Sequence, residues 1–372
     1  MQQMILVGVA VALVHGLLYW RLVAAPGLPG WARISAAVFL SALGILAVIA
    51  VGAGNTFAPG PVRPLVWLGQ TWYAVLFYLL LGLIVIGVVL VIARLAGYSR
   101  RSRLLQALSA LVVVASVGTV AYGVAEAEDI RIVEAQARFA DLPPQLDGLR
   151  IAVVGDLHVG AARGPEFTER VVELVNAQRP DLIVLPGDLL DGSVELVGPD
   201  VAPIAGLRSE YGTFGVAGNH EGYVDDVGQW MDFWESLGIE TLRNQRTEVP
   251  IDGVTIEMAG VYDYDAKEPY AADIDAALAG RDPSRFTMLI AHQPLQAIEA
   301  GDRGVDLQLS GHTHGGQMWP FVYLVRMVNP TVSGLDRIGD LQIYTTRGAG
   351  AWGPPVRVGA PPDISILTLR RG

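Results

Sequence analysis

The first 125 residues of this 372-residue chain contain no aspartate, no glutamate and no lysine. A segment that long without carboxylates cannot dress a water-facing surface, where charged side chains normally sit. Four apolar stretches fill it, at roughly 4–25, 32–53, 66–93 and 104–125. Each is near or above the ~20 residues that a helix needs to cross the hydrocarbon core of a bilayer. The sequence therefore predicts a multi-pass transmembrane region and excludes a soluble helical bundle. The first stretch does not read as a cleaved signal peptide, because Arg21 follows it rather than precedes it and further spans come after. Hydrophobic residues make up 52% of the chain, and the mean hydropathy is +0.40, as such a region requires.

The arginines set an expected orientation. Arg21 and Arg33 follow the first span, and Arg94, Arg100, Arg101 and Arg103 follow the third. With four spans these loops share one side, expected to be the cytoplasm. The N-terminus and everything after residue 125 then lie outside, at the cell membrane. Three or five spans would invert this reading.

Residues 126–147 read as a charged linker ending in Leu142-Pro143-Pro144-Gln145-Leu146-Asp147, where paired prolines stop a helix and stiffen the chain. From residue 147 onward 32 acidic residues outnumber 17 basic ones, a net charge of −15. That balance argues against nucleic-acid binding, which needs a basic footprint. There is no cysteine, so disulfides, thiolate metal sites and cysteine nucleophiles are excluded. Short β-branched runs now alternate with helical ones. Strands are expected at 149–154, 182–185, 213–217, 254–260, 286–291, 306–309, 341–345 and 364–369, with helices at 166–178, 227–237 and 271–279. The alternation predicts an α/β or α+β domain over residues 148–372.

The ends of these strands carry the chemistry. Gly155-Asp156-Leu157-His158 follows the first, Pro186-Gly187-Asp188 the second and Gly218-Asn219-His220-Glu221 the third. His292 follows the fifth, and Gly311-His312-Thr313-His314 the sixth. Ligand sites of layered sheets gather at the carboxyl ends of strands. Of the six histidines only His15 is elsewhere. A lone Asp after a strand is usually a turn residue or helix cap, but independent turns would not collect five histidines at strand ends. Imidazole with carboxylate and amide oxygen, and no sulfur, suits a pair of divalent ions such as Mn, Fe, Zn or Ni.

In order and content, Asp156-x-His158, Gly187-Asp188, Gly218-Asn219-His220, His292 and Gly311-His312-x-His314 resemble the motif set of the calcineurin-like metallophosphoesterases. The run from Arg347 to Pro355, with Gly359-Ala360-Pro361-Pro362 behind it, resembles the membrane-associated bacterial branch of that family. The resemblance covers about residues 149–370. It implies a four-layer sandwich, two mixed sheets between helices. It implies that Asp156, His158 and His314 bind one metal, that Asn219, His292 and His312 bind a second, and that Asp188 bridges them. His220 would assist the leaving oxygen while a metal-bridging hydroxide attacks phosphorus. Asp191 falls outside the matching positions and reads as a loop or supporting residue.

The ester is less constrained. Next to the histidine pair lies an apolar, aromatic run from Gln317 to Val328, in which Trp319, Phe321 and Arg326 are candidate substrate contacts. One reading makes this run a lipid-facing lip, for a phosphodiester or pyrophosphate of a lipid taken from the bilayer; the other makes it a buried edge. The functions left open are a membrane-tethered phosphohydrolase of that kind, an extracytoplasmic phosphomonoesterase or nucleotidase, and a non-catalytic metal-binding sensor. No protein partner is inferable. The apolar spans hold no acidic residue, which makes an ion-coupled transporter a poor fit.

Overall fold

The computed structural model describes residues 2–372. Four helices come first: α1 (Gln2–Leu18, continued by a π-helical turn at Tyr19–Ala24), α2 (Gly30–Gly52), α3 (Arg63–Leu95) and α4 (Arg101–Glu128). All four are long and apolar enough to cross a membrane. They pack through small residues where neighbours crowd. Leu43, Ala47, Trp72, Val75, Leu79 and Val120 are buried between the helices, while much of the outer surface is exposed Leu, Ile and Val, as a lipid-facing surface requires.

The expected linker is folded. α4 runs to Glu128, and two residues later β1 (Arg131–Phe139) begins; it pairs in parallel along its whole length with the last strand of the chain. Its alternation of Ile, Val and Ala with Arg, Glu and Gln is that of a half-exposed edge strand, which reads as polar tether until its partner is known. Pro144 then opens a single turn of 3-10 helix whose Leu146 is buried in the core.

The remaining elements are β2 (Arg150–Val153), α5 (Pro165–Ala177), β3 (Leu182–Leu185), α6 (Val194–Val201), β4 (Thr213–Gly215), α7 (Val227–Ser236), β5 (Glu240–Thr241), β6 (Gln245–Ile251), β7 (Val254–Gly260), α8 (Ile274–Ala277), β8 (Thr287–Ile290), α9 (Ala297–Gly301), β9 (Leu307–Ser310), α10 (Val322–Val328), β10 (Gly334–Ile338), β11 (Leu341–Thr345) and β12 (Asp363–Arg371). They form two six-stranded mixed sheets, in the orders β1-β12-β2-β3-β4-β5 and β10-β11-β9-β8-β7-β6. Every expected strand is present. β1, β5, β6 and β10 are additional, and all four lie at or next to sheet edges, where polar residues dilute the strand signal.

Alternation along each strand sorts side chains into layers. Ile151 and Val153 of β2 face Leu307 and Leu309 of β9 across a core shared by both sheets. Ala152 and Val154 point the other way, into a core closed by Val171, Val197, Trp230 and Trp234 of α5, α6 and α7. Behind the second sheet, Ala259, Leu289 and Ile343 pack on Ile274, Ala277 and Ala297 of α8 and α9. Fully burying each of the larger aliphatics contributes ~1.5–3 kcal/mol. The result is a helix–sheet–sheet–helix sandwich behind four apolar helices, as the family resemblance implied.

Candidate functional site

β2, β3, β8 and β9 all run parallel to a sheet neighbour, so their carboxyl ends come out together along one rim. The residues just beyond them leave the strands abruptly. Asp156, His158, Asp188, His312 and His314 all have φ between 47° and 70°. Non-glycine residues rarely occupy this region, and each costs ~1–3 kcal/mol unless its surroundings hold it. Here they are held. Asp156 N donates to Gly187 O, and Gly350 N donates to Asp156 O. Gly348, itself at φ 77°, lies so close that a Cβ would strike the Asp156 side chain. Arg357, fully buried, donates to the carbonyls of His314, Arg347, Gly348 and Gly350 and fixes the whole glycine-rich tail under the histidines.

Seven sequence-predicted ligands converge in two groups. In the first, His158 Nε2 and His314 Nε2 are 3.0 Å apart, and Asp156 Oδ1 is 3.5 Å from His314 Nε2. In the second, Asn219 Oδ1 is 3.1 Å from both His292 Nε2 and His312 Nδ1. Asp188 Oδ2 lies between, 3.2 Å from His292 Nε2 and 3.8 Å from His158 Nε2. The remaining atoms set the tautomers: His292 Nδ1 donates to Pro186 O at 2.7 Å, which leaves Nε2 free to face the site.

The chemistry of this donor set fits metal ions. Asp156 Oδ2 is buried and has no hydrogen-bond partner among the described residues, a costly state for a carboxylate oxygen unless a cation meets it. Burial pushes Asp156 up to about 6, while burial, with help from His292, holds His312 down at about 4. Burial and the Arg357 guanidinium hold His314 well below the usual imidazole range. His312 and His314 are thus kept neutral, the form in which imidazole binds metal. Asp188 is fully desolvated, but the surrounding histidines hold it well below the usual carboxylate range.

His220 stands beside the two groups. Its Nδ1 is 2.5 Å from Asp191 Oδ1, and its Nε2 is 4.0 Å from Asp188 Oδ2. Burial disfavours its charge, yet Asp188 and Asp191 outweigh that and push it up to about 9. The same Asp191 oxygen is 3.0 Å from His158 Nδ1. Asp191 therefore touches one candidate metal ligand and His220 at once, a closer role than that of a loop or supporting residue. Glu221 closes the third strand-end motif, where sequence alone assigns it no role. Fully buried, it accepts from the backbone N–H groups of Asp188, Leu189 and Gly218 and locks two strand ends together.

A cleft of about 460 Å³ opens over His220, His312 and His314 and runs along α10, lined by Phe321, Leu324 and Val328. The apolar run is thus an exposed helix, and the buried-edge reading does not hold. Of the three candidate contacts only Phe321 lines the cleft. Trp319 is 56% exposed and Arg326 is also exposed; neither lines the cleft. Trp319 instead offers its carbonyl to Tyr78 Oη of α3 at 2.9 Å.

The chain is similar to several known proteins. The family model described as calcineurin-like phosphoesterase matches residues 149–316. An uncharacterized metallophosphoesterase of Helicobacter pylori is 39% identical over 63% of this chain and 64% of its own length. A Bos taurus transmembrane protein with metallophosphoesterase domain is 35% identical over 62% of this chain and 54% of its own. An uncharacterized metallophosphoesterase of Aquifex aeolicus is 32% identical over 61% of this chain and 87% of its own. The chain thus spans under two thirds of the first two relatives, and most of the third.

Proposed function

This chain belongs to the calcineurin-like metallophosphoesterases, a membrane-spanning member with four apolar helices, and from that premise we propose that it hydrolyses a phosphodiester or pyrophosphate carried by a lipid. Two divalent ions, one at Asp156, His158 and His314 and one at Asn219, His292 and His312 with Asp188 between, would offset phosphoryl charge and lower the pKa of the attacking water. His220 does the proton work. Held by Asp191 through Nδ1, it turns Nε2 toward the bridging carboxylate, and although burial disfavours its charge, Asp188 and Asp191 push its pKa up to about 9. The water oxygen forms the new bond to phosphorus, the bond to the leaving oxygen breaks with its electron pair, and His220 donates the proton that this oxygen takes up. A site that only stored metal would have no use for a histidine so placed.

The lipid assignment rests on one observation: the cleft continues into the exposed apolar surface of α10, beside the point where Trp319 meets α3. α3 has 33 residues, about 50 Å at ~1.5 Å per residue. Its hydrogen bonds to the domain run from Arg63, 2.5 Å from Asp200, to Tyr78 at Trp319. Residues 79–95 remain, ~25 Å of helix against a hydrocarbon core of ~30 Å. Trp319 and α10 therefore belong at the headgroup boundary, where Tyr323, Leu324, Met327 and Val328 expose apolar surface. We place the domain outside the cytoplasm, since the arginine-rich loops are on the opposite side of the helices from it.

The test uses the full-length protein in lipid vesicles with Mn. Trp319→Ser with Phe321→Ser should lower hydrolysis of a vesicle-borne phosphodiester about ten-fold or more relative to a soluble chromogenic phosphodiester. Equal loss on both substrates would remove the lipid assignment.

A further inference from the structure

A second, smaller cavity adjoins His220 on the side away from the lip. It has a volume of about 160 Å³, and the membrane region builds much of it. Asn55 from the α2–α3 loop and Gln70 from α3 line it together with Asp191, His220 and Tyr223. Neither amide has a side-chain hydrogen-bond partner among the described residues; Asn55 is exposed at the cavity mouth, while Gln70 is half-buried. Two free amides in a half-enclosed space offer both donors and acceptors to a guest.

The loop that carries Asn55 is fixed against the site. Gly54 O accepts from Ser193 N at 3.0 Å, and Gly54 N donates to Phe57 O at 2.9 Å. Gly54 has φ 80°, and a Cβ there would strike the Asp191 carbonyl. Backbone meets backbone at this point, so the loop holds one position relative to Asp191 and His220. Asn55 is thereby part of a built wall.

His220 and Tyr223 line both cavities. The two spaces diverge from one point and differ in character: the large one runs along α10 side chains, and the small one sets the Asn55 and Gln70 amides and Asp191 among Ala50, Ala53, Ala161 and Val224. A phosphoryl group at that point would send its hydrocarbon-bearing arm along the lip and its other arm toward Asn55 and Gln70. At ~30 Å³ per water, the small cavity holds about five waters, which a guest of roughly glycerol size would displace. Hydroxyls on such a guest would meet the amides and Asp191.

We infer that this cavity is a subsite for a small polyol on the second arm of the ester, and that Asn55 and Gln70 are its specificity-determining residues; the inference rests on the phosphohydrolase reading above. The polyol arm lies beside His220 and leaves. The bond between phosphorus and the polyol oxygen breaks, that oxygen takes the electron pair and a proton, water supplies the new oxygen on phosphorus, and the lipid keeps the phosphate.

The experiment compares phosphatidylglycerol with phosphatidylmethanol, which differ only in that arm. Full-length protein with Mn in detergent micelles should show kcat/KM about ten-fold higher for the glycerol ester. Asn55→Ala and Gln70→Ala should each bring the ratio down several-fold, and the pair toward unity. The ratio is internal to each variant, so partial loss of folded enzyme cancels. Native mass spectrometry of the metal-free protein with the two lipids supplies a readout independent of turnover, and the wild type's binding preference should vanish in the double variant. A wild type without preference, or ratios unmoved by substitution, would overturn the subsite alone. Metal-loaded wild type that cleaves neither lipid would overturn the underlying reading and the subsite with it.

Discussion

Asp191→Asn is the most informative single substitution, because one oxygen serves two groups with separable readouts. Asp191 Oδ1 is 2.5 Å from His220 Nδ1 and 3.0 Å from His158 Nδ1. Both are charge-assisted contacts when Asp191 is ionised, and its carboxylate is held below the usual range despite burial, by His158 and His220. Hydrogen bonds to charged groups contribute ~1.5–3 kcal/mol. Asparagine keeps an acceptor oxygen but not the charge. Loss of roughly 1.5–3 kcal/mol at His220 lowers kcat about 10- to 150-fold at saturating metal. Loss at His158 weakens metal affinity about 10- to 100-fold, the usual effect of removing a carboxylate behind a histidine ligand. The pH profile gives the sign. Burial lowers the pKa of His220 while Asp188 and Asp191 raise it to about 9. Removing one of the two carboxylates must move it down, so the protonated form is lost at lower pH and the alkaline limb of kcat shifts toward acid. The assay is kcat against pH at saturating Mn, with metal affinity from a separate titration. A variant whose kcat, alkaline limb and metal affinity all matched the wild type would show that Asp191 does not act through either histidine.

Two further outcomes follow from the same geometry. Metal should stabilise the domain, because Asp156 Oδ2 is buried without a partner among the described residues; at a thousand-fold excess over Kd the gain is ~4 kcal/mol, seen as a rise in Tm on adding Mn to chelator-treated protein, and no rise would count against metal at these residues. A chain begun at residue 140 should fail to fold as a stable domain. It lacks β1, which pairs with β12 over nine residues and buries Ala137 and the edge of Phe139 against Phe286 at 4.9 Å. A sharp cooperative melt at the temperature of a chain begun at residue 126 would contradict this.

The ligand set was legible in the sequence for a physical reason. β2, β3, β8 and β9 are buried on both faces, so each reads as an apolar run, and its polar successor stands out. β1 was not legible. Its Arg131, Glu134, Gln136 and Arg138 make an edge strand look like a tether, and its partner lies more than 200 residues away. The role of Glu221 was hidden beside His220, since nothing local distinguishes a carboxylate that accepts from two distant N–H groups from one in solvent. Arg326 drew attention as a lone cation near the histidines, yet α10 turns it outward. Asn55 and Gln70 could not be found from sequence at all, because their place beside His220 depends on how membrane helices and sandwich dock.

The two residues between α4 and β1 have a kinetic consequence. At ~3.5 Å per residue they let the domain stray by less than the width of a helix. A domain so mounted stays at the surface of its own bilayer and cannot reach a neighbouring membrane. Its encounters with a membrane lipid are confined to two dimensions. Turnover on a lipid should therefore follow the mole fraction of substrate within the sheet that holds the protein, and be indifferent to how much of that sheet is suspended per millilitre.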